Sequence, residues 1–171
     1  MRARVALAAL AMVVLTSCSP EETFNGEKGP DNEDVLAATG LTVAAARPIV
    51  AENFSLVWPE PVTVDPATVD ASQGCRSKMT DIAAAGPPWR PRYEQTVIDP
   101  PQEFIDRALT NLAAMTSRGY TFTPSQNPAQ DPMSKTYTDP RGFSISSWRE
   151  TAGPKREVRF SITSTAPCAA E

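Results

Sequence analysis

Apolar and polar positions follow clear periods in the second half of the chain, and the period changes from one stretch to the next. Phe104, Ile105, Ala108, Leu109, Leu112 and Ala113 recur at steps of one, three and four. On a helix they form one apolar stripe, with Asp106, Arg107, Thr110 and Asn111 facing away. Asp99 suits the N-cap, Pro100 the first helical position and Gln102 the third position of a capping box, while Gly119 suits a left-handed stop. On either side the period falls to two. Phe143-Ser-Ile-Ser-Ser-Trp148 and Val158-Arg-Phe-Ser-Ile162 predict strands that bury Phe143, Ile145, Val158, Phe160 and Ile162 on one face. Tyr93 to Asp99 predicts a strand before the helix, and Tyr120-Thr-Phe122 opens one after it. A loop containing Pro124, Pro128 and Pro132 follows, and then Asp139-Pro-Arg-Gly142 carries the residues of a type I turn joining Ser134–Thr138 to Phe143–Glu150. The expected fold class is therefore α+β: a single domain with one main helix packed on an antiparallel sheet, in β-α-β-β-β order in the C-terminal half.

The first half is patterned more weakly. Residues 33–47 are rich in alanine and predict a short helix, weakened by Gly40 and two threonines and ended by Pro48. Between Ile49 and Gly74 apolar residues come in bursts, Phe54 to Trp58 and Val62 to Val64, among Pro59, Pro61 and Pro66. That arrangement predicts short strands and turns.

Residues 1–17 read as a signal peptide: a basic start with Arg2 and Arg4, an apolar run from Val5 to Leu15, then Thr16-Ser17 ahead of Cys18. The run is too short for a membrane span, which takes roughly 20 residues. Leu15-Thr16-Ser17-Cys18 resembles the bacterial lipobox, which implies that Cys18 is lipidated and becomes the mature N-terminus; the alternative is a secretory signal with an incidental cysteine. Residues 19–32 are polar and rich in Pro and Gly, and predict a tether. The expected organisation is a signal peptide over 1–17, lipidated Cys18 with its tether over 18–32, and one α+β domain over 33–171.

Cleavage before Cys18 removes two arginines, leaving 16 − 2 = 14 basic against 20 acidic side chains and shifting the formal charge from −4 to −6. A balance of that sign speaks against a nucleic-acid partner. The chain contains no histidine, so histidine bases, Ser-His-Asp triads and most zinc sites are excluded; no metal, cofactor or catalytic residue is expected. Cys75 and Cys168 remain, and in an exported chain they are expected to form a disulfide, two separate buried thiols being the alternative.

Together the lipobox, a first cysteine ahead of the main strand and helix, Gly119-Tyr-Thr121, the Asp139–Phe143 hairpin and a final strand running from Phe160 towards Cys168 resemble the LppA-type small lipoproteins of mycobacteria and their actinobacterial relatives. The resemblance spans roughly residues 50–168. It implies a place, the outer face of a cell membrane with attachment through lipid, and no reaction.

Two groups of residues are candidates for binding. Trp89, Arg90 and Arg92, after Gly86-Pro-Pro88, put a ring and two guanidiniums in a stiff loop, suited to an acidic or sugar group or else packed on their own tryptophan. Arg149, Lys155, Arg156 and Arg159 gather at one hairpin, either as an anion site or as a solvated strand face. The expectation is a non-enzymatic envelope lipoprotein that binds a protein or an envelope component such as a glycolipid. The alternative is a carrier of a lipid or other apolar ligand, which needs a cavity of roughly 300 Å³ or more between helix and sheet.

Overall fold

The computed structural model describes residues 27–78, 84–125, 127, 129 and 131–171. The signal peptide, Cys18, the tether up to residue 26 and Pro128 lie outside the described residues. Within them the chain is an α+β domain built on a five-stranded antiparallel sheet of order β4-β8-β7-β6-β5. The strands are β4 (Arg92–Ile98), β5 (Thr121–Thr123), β6 (Lys135–Thr138), β7 (Ser144–Ala152) and β8 (Glu157–Thr165). Four strands thus follow the helix α3 (Gln102–Ala114). Asp139 and Gly142 close the expected turn with a bond from the Gly142 N–H to the Asp139 carbonyl at 3.0 Å.

The period-two positions set the inner face. Phe143, Ile145, Phe160 and Ile162 are fully buried, whereas Val158 near the turn of the β7–β8 hairpin is partly exposed. Phe104, Ile105, Ala108 and Leu112 of α3 meet this face; Leu109 lies at its margin and Ala113 is exposed. The stop at Gly119 is as expected, with φ at 85°, after a short 3-10 turn over Met115–Arg118. The start is not. Asp99 itself takes a left-handed conformation, φ 46°, and its carboxylate accepts the Val158 N–H at 2.8 Å, so it ties β4 to β8; Pro101 is the N-cap, without a side-chain bond.

A second helix shares the layer. α1 (Asn32–Thr39) begins at an Asp31–Asp34 capping box and ends at Gly40, and α2 (Val43–Val57) follows from a Thr42 cap. The strands and turns expected from Ile49 onward are replaced, as far as Val57, by one continuous helix with Pro48 inside it. Ala46, Val50, Ala51, Phe54 and Val57 recur at steps of four, one, three and three, and all are buried. Burying that stripe outweighs a proline in a helix interior, which costs about 3 kcal/mol. α2 packs on β8, β4 and α3, while α3 packs on β7. Between helices and sheet runs a chain of rings: Phe54–Trp58 and Phe54–Tyr93, then Trp58–Phe104 and Phe104–Phe160, with centroids 4.7 to 6.4 Å apart.

A smaller antiparallel sheet joins β1 (Glu27–Lys28), β2 (Gly74–Lys78) and β3 (Ala84–Trp89). The segment read as tether through residue 32 therefore already contains a strand and a helix cap. The loop expected around Gly86-Pro-Pro88 is strand β3, paired with β2. Cys75 in β2 is bonded to Cys168, with a Cα separation of 6.0 Å.

The C-terminal segment holds the parts together. Ala169 exchanges backbone bonds with Trp89, the Ala166 N–H reaches the Pro91 carbonyl, and Ala170 lies between Leu41 and Val43. Ala169 and Ala170 are wholly buried, and the Glu171 N–H donates to Asn32 Oδ1.

Candidate binding face

Both large helices cover one side of the five-stranded sheet, so the other side is open. Register decides what it shows. Arg92 stands opposite Thr165 and Glu94 opposite Thr163, while Ser146 flanks Thr163 on β7. In the next row Thr96, Ser161 and Trp148 lie side by side. Side chains alternate across a strand, so all of these project on the side away from the helices. The result is a face of serine and threonine hydroxyls broken by one large ring, Trp148, which is 49% exposed.

A groove of about 440 Å³ crosses this face. Arg90, Arg92 and Glu94 line one part, and Trp148, Thr163 and Thr165 another. Gln73, Ser146 and Ser161 complete the lining. Its polar groups are already arranged: Glu94 is ion-paired with Arg92 and also accepts the Thr163 hydroxyl at 3.2 Å. Ser161 and Thr96 are linked at 2.7 Å, and the indole N–H of Trp148 points to Glu150 Oε2 at 3.5 Å. Among the described residues the Arg90 guanidinium has only a long contact, 3.8 Å, to the Cys168 sulfur, a weak acceptor.

The candidate residues read from sequence are thus divided. Arg90 and Arg92 meet in the groove. Trp89 does not join them: a Cβ on Gly86 would come within 2.4 Å of its ring, so the tryptophan packs on its own strand. Arg149 projects to the opposite side of β7 from Trp148 and is paired with Asp131 at 2.7 Å. Arg156 lies in the exposed turn after β7, with φ at 54°, and Arg159 is on the open face one row beyond Trp148, opposite Ile98 and Glu150. The expected basic cluster is therefore spread over two faces and a turn.

Glu94, Thr163, Thr165 and Ser146 were not singled out from sequence. Their signal is the polar half of the same alternation that marks the core, Ser144-Ser146 on one strand and Ser161-Thr163-Thr165 on another. Comparison of the chain with protein-family models, curated proteins and solved structures finds no match among any of them.

Proposed function

We propose that this chain is a non-enzymatic lipoprotein of the cell envelope, exported and held to the outer face of the membrane through Cys18, whose open sheet face binds an envelope component or a protein. The observation that carries the binding part is the groove beside Trp148, where an exposed indole, two guanidiniums and several hydroxyls converge on one uncovered surface. The anchoring part rests on Leu15-Thr16-Ser17-Cys18 and the basic and apolar residues before it. Two or three acyl chains supply lasting attachment where one is marginal.

The carrier reading places its ligand between helix and sheet. Phe54, Trp58, Tyr93, Phe104 and Phe160 meet there ring to ring, and this favours the open face over the interior as the place of binding. Membrane fractionation tests the anchor: Cys18→Ala should leave the protein unprocessed or released from membranes. A variant that stays bound and is cleaved at the same residue as wild type rules the lipid anchor out. Cross-linking from a photoreactive residue placed at Ser146 tests the face. It should capture an envelope component, and the capture should be lost in Trp148→Ala.

A further inference from the structure

We infer that the groove beside Trp148 is a saccharide site selective for sugars that carry an acidic group, a carboxylate or a phosphate. This rests on the open face being the binding surface and names the chemistry that the face takes. Three observations bear on it independently.

The first is charge. The groove holds Arg90, Arg92 and Glu94, a balance of +1, on a chain whose formal charge is −4. Arg92 and Glu94 neutralise one another, which leaves Arg90 as the charge in the groove with no ion pair among the described residues. Its guanidinium is partly buried against a disulfide sulfur that satisfies it poorly. A guanidinium presents a planar fork of N–H groups that matches a carboxylate or phosphate with two parallel bonds. A neutral ligand leaves that fork unused.

The second is the distribution of donors and acceptors. The hydroxyl of Thr163 donates to Glu94 and so turns its lone pairs outward as acceptors. Thr165 and Ser146 add hydroxyls that can donate or accept, and Gln73 supplies an amide at the rim. Closely spaced groups of mixed polarity suit the vicinal hydroxyls of a sugar. A flat apolar ligand would leave them desolvated and unpaired, which is costly for each group.

The third is the ring. Trp148 is half-exposed at one end of the groove, its indole N–H directed at Glu150 and away from the hydroxyl row. The faces of an indole attract the C–H surface of a pyranose and the apolar side of any ring laid on it. Trp148 therefore serves as the platform, the hydroxyl row as the register and Arg90 as the selector for acid.

The test uses the full chain, solubilised in detergent, against oligosaccharides bearing uronate, the same backbones bearing phosphate, and their neutral counterparts. Binding is read by quenching of tryptophan fluorescence and by calorimetry. Acidic members of either kind should bind, neutral ones much more weakly, and added salt should weaken the acidic complexes. Trp148→Ala should lower affinity roughly tenfold or more, the scale of truncating an aromatic anchor, while Trp148→Tyr keeps most of it. Arg90→Gln should abolish the preference for acidic over neutral sugars, and thermal melts establish that each variant is folded. Arg156→Gln, far from the groove, should bind as wild type does.

Equal binding of neutral and acidic sugars, or full affinity in Trp148→Ala, overturns the inference. So does binding of no acidic sugar. Should cross-linking at Ser146 still capture a protein that depends on Trp148 in that last case, the open face keeps its role and only the saccharide assignment falls. Loss of both removes the face as well.

Discussion

Tyr120 and Asn53 form a buried polar pair at the foot of the helices, the Asn53 amide donating to the phenol oxygen at 2.7 Å. Burial pushes the phenol above its ordinary value of 10.0, and the charge of Asp139 pushes it further; the bond from Asn53 acts the other way. The folded chain thus keeps a proton at a pH where the unfolded chain has lost it. That stability is fully present below about pH 10 and falls as pH rises through the folded value. Urea midpoints measured on the alkaline side should therefore decline with pH, and Tyr120→Phe should flatten the decline. The same variant should lose about 1 to 3 kcal/mol at neutral pH, because the Asn53 amide is left without its acceptor. Little of this pair is legible in the sequence, since its members stand 67 residues apart. The residues of the proposed binding face were legible only in part: Arg90 and Arg92 stand out as charges beside a tryptophan, whereas the role proposed for Trp148 depends on which strands flank β7. A cross-strand neighbour is set by register, which local pattern does not encode.

At the scale of elements, the C-terminal half could be read because period and punctuation agree there. Asp139 to Gly142 makes its turn and Gly119 its stop. Two of the expectations that failed did so for different physical reasons. The carboxylate of Asp99 found a better partner in the Val158 N–H than in the helix start. Pro48, read as the end of a helix, is carried through by the apolar stripe on either side of it. Being exposed, Pro48 contributes little packing, so Pro48→Ala should restore one backbone bond to α2 without opening a cavity. A higher melting temperature is expected, with a gain on the order of 1 kcal/mol after the greater freedom of the unfolded chain is offset. On α3 the contrast lies between neighbours. Leu112 is wholly buried and Leu109 marginal, so Leu112→Ala should cost ~2 to 5 kcal/mol and Leu109→Ala distinctly less. Equal losses in chemical denaturation would mean that α3 is rotated relative to its position here.

For the molecule as a whole, the Cys75–Cys168 bond joins the small sheet to the segment that follows β8 across a sequence separation of 93. The chain-entropy model assigns such a loop on the order of 4 to 5 kcal/mol. Cys168→Ser should lower the denaturation midpoint accordingly, and reduction of the wild type should reproduce the loss. The pairing was accessible from the count of cysteines, but its surroundings were not: β2 and β3 lack a periodic signature, and two of their ties, Cys75–Cys168 and Trp89–Ala169, come from far along the chain. That clasp bears on the order of events during synthesis. A ribosome delivers the chain from its N-terminus, so the Val43 N–H at the start of α2 and the Trp89 backbone at the end of β3 gain their partners, Ala170 and Ala169, only once those residues have been made. Contacts of such long sequence separation form only after the strands of the large sheet have been made, so segments synthesised early wait on residues synthesised late.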